Sequence, residues 1–353
     1  MRILSIETSC DDTGIAILEI KNKRFRVVAN ELSSQVKLHA KYGGVYPSLA
    51  KREHQKNLPL ILKKLLPQEI EYITVTVGPG LDPCLWAGIT FAQELAKKWG
   101  VPIIPVNHIE GHLIISLLSQ RNAISNFKFL ISKRTFPSLA LIVSGGHTQL
   151  ILVKGIGNYK IIGETRDDAA GEAFDKTARI LGLPYPGGPA IAAAAAKIRN
   201  PKHEIQNTFR IKLPRPMIHT KDFDFSFSGL KTAVLYDFQS RSKKVQKSKP
   251  YIQTMAKEIQ QAIIDVLLAK TMRAAEEYGA KSIILGGGVA ANKELRLQFQ
   301  KCSMLRFEHY FFVAPPDLCT DNGLMIALAG YFHRKEHVKN VNRISAQPNL
   351  RLE

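Results

Sequence analysis

The chain has 353 residues, 45% apolar and 22% charged, a composition ordinary for a globular protein and a length sufficient for two domains with sizeable cores. Forty-nine Lys and Arg against 30 Asp and Glu give a formal charge of +19; this favours a polyanionic partner, nucleic acid first, although a host-wide compositional bias has the same sign. Cys10, Cys84, Cys302 and Cys319 form no CxxC pair, which argues for reduced thiols in a cytosol over a disulfide framework or zinc knuckle. The opening MRILSIETSCDD reaches two aspartates by position 12, so no secretory apolar segment is expected there. No run approaches the length of a membrane span, and a cytoplasmic protein is expected.

Along the chain the pattern is α/β. RILSIETSCDDTGIAILEI reads as strand, polar turn, strand: Ile3, Leu4 and Ile6 form one apolar run, Thr8 to Gly14 break it, and IAILEI resumes it. NHIEGHL, residues 107 to 113, then places His108 and His112 four positions apart, on one face of a helix that Asn107 can cap. The pair suits either a shared metal ion or two packing histidines. In the zinc-peptidase signature a glutamate directly follows the first histidine; here Ile109 stands there, and Glu110 is turned about 100° further round the helix. KFLISKRTFP, near residue 130, adds three cations.

SLALIVSGGHTQLILVKGI repeats the strand-turn-strand design, with its turn at Ser144 to Thr148, and two such hairpins about one domain length apart suggest an internally duplicated fold. Both turns offer backbone N–H groups and hydroxyls suited to a phosphate or carboxylate. DDAAGEAFDKTARILGLPYPGGP follows, with Asp167, Asp168, Glu172 and Asp175 near a helix start, where the macrodipole favours carboxylates. Asp175 lies inside that helix; it suits a hydrogen bond to a ribose or polar substrate, or an ion pair with Arg179 at i+4. SRSKKVQKSKP, residues 240 to 250, carries five cations and no acid, and reads as a solvated loop or a track for phosphates. KSIILGGGVAANKELR sets a third glycine turn between a strand, Ser282 to Leu285, and a helix. Neither GxGxxG nor GxxxxGK[ST] occurs, so the Rossmann and P-loop readings are unsupported.

Seven stretches in this order, IETSCDDTGIAI, NHIEGH, LIVSGGHTQL, DDAAGEAFDKTARILGLPYPGGP, DFSFSGLKTA, GGGVAAN and CTDNGLMIA, resemble the tRNA adenosine threonylcarbamoyltransferase family, also called TsaD or Gcp. The resemblance implies an α/β fold, the duplicated actin/sugar-kinase/heat-shock-chaperone-like (ASKHA) fold, with two α/β domains around a nucleotide cleft. The expected division is an N-terminal domain over 1–135, a C-terminal domain over 136–325, and a C-terminal helix and basic tail over 326–353 that packs back on the first domain. The resemblance supplies a third metal ligand, so that His108, His112 and Asp321 would hold one iron(II) ion per subunit, with zinc equally admitted by the donors. It further implies a cleft for an adenylate or ATP built from Ile142, Val143, Ser144, Gly145, Gly146, Asp175, Gly188 and Asn292, with Asp11 as an essential acidic residue at the reacting end.

The implied reaction moves a threonylcarbamoyl group from threonylcarbamoyl-adenylate to the exocyclic amine of the adenosine 3′ to the anticodon, in tRNAs reading codons that begin with A. The implied partners are tRNA, an inactive paralogue, a small ATPase and an adenylate-forming enzyme, with no membrane. Two stretches depart from the family pattern: Ala290 stands where serine is frequent, and Asp82, Pro83, Cys84 and Trp86 stand where small or aliphatic residues are usual. A non-catalytic nucleotide-binding scaffold and, on HxxxH alone, a metallopeptidase are the alternatives.

Overall fold

The structure is a computed structural model that describes residues 1–65, 69–118, 126–127, 135–198, 209–307 and 310–352. The first sheet holds β1 (Arg2–Glu7), β2 (Asp12–Lys21), β3 (Arg24–Ser34), β4 (Tyr72–Gly78), β5 (Ile103–Asn107) and β6 (Asn126–Phe127) in the order β5-β4-β1-β2-β3-β6. The second holds β7 (Ser138–Val143), β8 (Thr148–Gly155), β9 (Asn158–Glu164), β10 (Ser282–Gly286) and β11 (Tyr310–Val313) in the order β11-β10-β7-β8-β9. Each sheet opens with an antiparallel three-strand meander and extends from its first strand by two parallel strands. The duplication suggested by the hairpins therefore extends to five strands per half.

Eleven helices are described. Those of the first half are α1 (Val36–His39), α2 (Pro47–Leu65), α3 (Asp82–Trp99) and α4 (His108–Ser116). In the second, α5 (Ala170–Ile180), α6 (Gly187–Ala195), α7 (Ser228–Ser240), α8 (Lys243–Gln246), α9 (Lys249–Glu277) and α10 (Lys293–Phe307) precede α11 (Gly323–Phe332). The basic stretch near residue 130 lies outside the described residues apart from its last few.

Both faces of β1, β2 and β4 in the first sheet are buried, which is why β1 reads as a near-continuous apolar run, whereas β3 is largely exposed. Leu4, Ile6, Ile15 and Ile17 join α2 and α3 in one cluster, while Ile3, Ala16 and Leu18 face the opposite way into a larger core shared with the second sheet. That alternation is the period of two expected of strands. Helices α4 and α11 lie between the sheets, α11 against β1 and β2 and α4 against β10 and β7. The chain then returns to the first half: Val338 exchanges backbone bonds with Ile103, Gln347 N–H donates to Val77 O at 2.7 Å, and Val341 and Ile344 join the cluster beneath α3.

Glycines set how closely these layers approach. A Cβ on Gly323 would lie 2.5 Å from Ala16 N, and one on Gly14 would lie 2.7 Å from Gly323 N. A Cβ on Gly111 would press on Ile326 and Met325 at 3.1 and 3.2 Å. The glycine that weakens the HIEGH helix on propensity grounds is thus the residue that lets α11 lie against it. Gly323→Ala should lower stability by about 1–3 kcal/mol, the range for an overpacked site, because the obstructing atoms are backbone. Denaturant unfolding reads this directly; an unshifted midpoint would place α11 farther from β2 than described.

Candidate metal and substrate centre

Helix α4 forms as its sequence suggests. Asn107 Oδ1 accepts from the N–H groups of Ile109 and Glu110 at 2.8 and 3.4 Å, which makes His108 its first residue and puts His112 one turn on. Their rings stand 4.7 Å apart at 85°. Asp321, in the turn before α11, points Oδ1 between them, 3.0 Å from His112 Nε2 and 3.5 Å from His108 Nε2. Neighbouring ligands on a single ion with bonds of about 2.1 Å are separated by about 3.0–3.5 Å, a spacing that Asp321 has to each imidazole, and all three donors lie within 4.8 Å of one another. Among the described residues this is the one group of three or more side chains identified with metal-ligand spacing.

Glu7, at the end of β1, is a site residue that the sequence reading passes over. It is fully buried and accepts from Ser9 N–H at 2.6 Å and from Thr76 Oγ1. Its Oε2 lies 3.3 Å from His108 Nδ1. A carboxylate on Nδ1 fixes the tautomer that presents Nε2 to a metal, the usual support for a ligating histidine. The signal available in sequence was a lone carboxylate at the end of a strand buried on both faces, which demands a partner.

The electrostatics point the same way. Burial opposes charge on His108, but the carboxylates of Asp321 and Glu7 raise it to about 9. Burial alone would push Asp321 up, yet His108 and His112 hold it well below the usual carboxylate range. Burial, then Asp321, raise both Asp11 and Asp12, the latter to about 7. Asp11 Oδ2, Asp12 Oδ1, Ser9 Oγ and His112 Nδ1 are buried without a hydrogen-bond partner among the described residues. Two imidazoles, one ligating carboxylate and surplus negative charge form a donor set that fits a divalent cation with open positions.

The first turn is tighter than its sequence suggests. β2 begins at Asp12, so the turn spans Thr8 to Asp11, and Asp11 O accepts from Gln35 N–H at 3.1 Å. The matching turn of the second half holds Ser144 to His147. Ile142 and Val143 are fully buried beneath it, and Ser144 N–H donates to His147 O at 2.8 Å. That bond leaves the N–H groups of Gly145 and Gly146, both exposed, as the turn's donors without a described acceptor. His147 is lowered to about 4 by burial and by the two facing histidines. Gly171 of α5 accommodates Ser144 O, 2.5 Å from where its Cβ would lie, and its N–H donates to that oxygen at 3.1 Å.

Other expected residues serve structural roles. Asp175 Oδ1 accepts from Gly187 N–H at 2.6 Å, fixing the start of α6 beside Gly188. No ion pair joins Asp175 to Arg179 among the described residues; Arg179 instead donates to the carbonyl of Gly43, across from α5 in the first half. The local i+4 expectation loses to a tertiary acceptor. Asn292 caps α10 through Oδ1, accepting from Glu294 and Leu295 N–H at 3.0 Å each, while Nδ2 donates to Gln260. A single 3₁₀ turn, Gly288–Ala291, precedes that cap, and Ala290 is fully buried in it. Asp167, expected beside α5, accepts from Ser226, Phe227 and Ser228 at the start of α7. Asp82 and Pro83 open α3, positions that suit an acid and a proline.

Glu110 faces elsewhere: Tyr159 donates to its Oε1 at 2.6 Å, and His333 Nε2 lies 2.8 Å from the same oxygen. A peptidase base would have to face the metal-bound water, and this carboxylate is held by a tyrosine and a histidine instead.

These halves and this centre define an α/β protein of the duplicated actin, sugar-kinase and heat-shock-chaperone type, with a two-histidine, one-carboxylate site in its cleft. The family profile described as TsaD, tRNA N6-adenosine threonylcarbamoyltransferase, matches residues 26–328. A protein of Aromatoleum aromaticum (strain DSM 19018 / LMG 30748 / EbN1) named tRNA N6-adenosine threonylcarbamoyltransferase is 43% identical over 336 residues, which cover 94% of this chain and 90% of that one. The chain belongs to the tRNA N6-adenosine threonylcarbamoyltransferase family. Among solved structures, full-length HypF in a phosphate- and nucleotide-bound form is 12% identical with a TM-score of 0.53, covering 94% of this chain and 55% of that one. HypF of T. kodakarensis is 13% identical with a TM-score of 0.56, covering 96% and 48%. The chain spans about half the length of these two proteins, and the likeness is one of fold.

Two outcomes follow. Glu7→Ala should weaken metal binding about 10–100-fold, the usual effect of removing a ligand's supporting carboxylate, while His112→Ala should abolish it; equal metal affinity in all three proteins would dissolve the site. Separately, the bond to Glu110 raises His333 to about 9 against the opposing effect of burial. A folded-state value above the unfolded one near 6.5 stabilises fully below about pH 6.5, and that contribution is lost as pH rises through about 9. Unfolding midpoints of wild type and His333→Gln should therefore differ at pH 6 and converge by pH 10.

Proposed function

We propose that this chain transfers the threonylcarbamoyl group from threonylcarbamoyl-adenylate to the exocyclic amine of the adenosine 3′ to the anticodon, in tRNAs reading codons that begin with A. The carrying observation is the approach of Asp321 to His108 and His112 in a chain that matches the family along nearly its whole length. In the reaction the amine nitrogen bonds to the carbamoyl carbon, the bond from that carbon to the adenylate oxygen breaks, AMP leaves, and the nitrogen loses a proton.

The chain's own groups supply position and charge. Gly145 and Gly146 present backbone N–H groups to the acyl or phosphate oxygens, where preorganised donors stabilise developing charge. Ile142, Val143 and Ser144 hold that turn in place. Asp11 Oδ2, buried without a partner and raised by burial and by Asp321, accepts the proton that the amine gives up. Asp175, Gly188 and Asn292 hold the adenosine end of an adenylate or ATP: Gly188 by leaving room where a side chain would stand 4.0 Å from Phe174, Asp175 and Asn292 by fixing the helix starts that line it. Iron(II), or zinc, held by His108, His112 and Asp321 supplies Lewis-acid polarisation of a substrate oxygen when bound. Because the exocyclic amine is a poor nucleophile, orientation carries much of the acceleration.

We retain the division 1–135, 136–325 and 326–353 with the cleft at the junction of the first two, but move the last boundary back to the start of α11, since a cut after Met325 would divide the helix Gly323–Phe332. We place the chain in the cytoplasm, where its tRNA substrate is, and assign it the inactive paralogue, small ATPase and adenylate-forming enzyme as partners. No described helix is long and apolar enough to cross a membrane.

The test is transfer in vitro with synthesised donor adenylate, unmodified tRNA and the purified partners. The modified nucleoside should form with wild type and be lost with His112→Ala; a wild type that yields none would sink the reading. The basic segment adds a second expectation. Arg241 pairs with Asp237 at 2.7 Å and packs near Phe209 and Tyr251, so it belongs to the fold, whereas Lys243, Lys244, Lys247 and Lys249 are exposed. Neutralising those four should weaken binding of all tRNAs alike and flatten its log–log salt dependence by about 0.7–0.9 for each lysine that meets a phosphate. An unaltered slope would show that the tRNA passes elsewhere.

A further inference from the structure

The segment from Val36 to Arg52 runs from the end of β3 into the first turns of α2 and contains Lys37, Lys41, Lys51 and Arg52, with Glu53 the first acid after them. It is tied to the reacting end of the cleft. Gln35 N–H donates to Asp11 O, His54 Nε2 lies 2.9 Å from Cys10 O, and Thr13 Oγ1 lies 2.8 Å from His54 Nδ1. From the other half, Arg179 reaches the carbonyl of Gly43 at its centre. The segment therefore lines the cleft where the halves meet.

Two large side chains on it stand out in the solvent. Tyr42 is 55% and Tyr46 56% exposed, and their rings stack with centroids 5.9 Å apart at 29°. Lys41 Nζ sits 5.0 Å from the Tyr42 ring centre. Neither hydroxyl has a hydrogen-bond partner among the described residues, and more than half of each side chain is open to solvent. Left-handed Gly43, φ 67°, breaks the helical path between them, and the bond from Tyr46 N–H to His39 Nδ1 at 3.3 Å fixes where the second ring emerges.

We infer that Tyr42 and Tyr46 form a stacking platform for an unpaired base of the RNA substrate next to the target adenosine, with Lys37, Lys41, Lys51 and Arg52 meeting the adjacent phosphates. Exposed aromatics interleaved with cations, held beside a cleft that must receive a single splayed nucleotide, are the recurring means of holding unpaired nucleic acid. An interface for a protein would carry an apolar centre, and its electrostatic complement would have to be acidic; the all-basic setting favours the RNA. The platform rests on the tRNA reading given above.

The experiment uses the full chain and an RNA stem-loop whose unpaired loop carries the target adenosine with 2-aminopurine beside it. Wild type should quench the 2-aminopurine on binding. Tyr42→Ala/Tyr46→Ala should bind about tenfold more weakly and lose the quench, Tyr42→Phe/Tyr46→Phe should keep both, and metal content should be equal in all three as a check on folding. Full quenching and unchanged affinity in the alanine pair would overturn the platform. So would an alanine pair that binds RNA normally yet loses transfer when the partner proteins are present, since that places the rings in a protein interface. Transfer by wild type to whole tRNA, run alongside, separates the two ideas: if it proceeds while the alanine pair behaves as wild type, the platform alone has failed.

Discussion

Helix α11 lies so close to the first sheet that Gly14 and Gly323 meet through their backbones, and Asp321, two residues earlier, is thereby carried to the imidazoles of α4. The same packing is held from below by Ser5, whose hydroxyl donates to Gly323 O at 2.7 Å, and at the far end by Gly330 against Thr74. Asp321 is 209 residues from His112 in sequence. The site therefore depends on how tightly one helix can lie on backbone, and side chains at three glycine positions would separate its ligands.

Charge is distributed against the overall balance. The chain is strongly basic, yet the innermost part of its cleft gathers Glu7, Asp11, Asp12 and Asp321. Such a cluster of buried carboxylates disfavours any further negative charge beside it, because few water dipoles screen the charges there. The exposed lysines, by contrast, favour a polyanion at the surface. Long-range attraction and short-range repulsion thus come from opposite signs in one molecule.

Several parts of this arrangement were legible in the sequence. The paired hairpins gave the duplication because period-two alternation and a polar break are local properties. The cap by Asn107 and the shared face of His108 and His112 are likewise consequences of helix geometry over five residues. Other assignments depended on contacts that no local pattern encodes. Arg179 has an acid one turn away but bonds to a carbonyl in the other half, and Asn292, which suits a ligand contact, is occupied by the orphan N–H groups of its own helix. Asp321 came from the family motif alone, and Glu7 was hidden in a strand whose neighbours are all apolar or small. Apart from Ser9 N–H, its partners come from β4 and α4, far along the chain.

The return of the chain to its first half has a consequence for how the molecule is made. During synthesis β1 to β5 emerge early with α2 and α3 to cover one face, but the other face awaits α11, and the cluster under α3 is completed only by the segment around Val341, Ile344 and Gln347. The first sheet thus waits on the ribosome with apolar surface uncovered while the whole second half is translated, a situation that invites chaperone binding. The cluster of His108, His112 and Asp321 is completed in the same late step, because Asp321 stands just before α11.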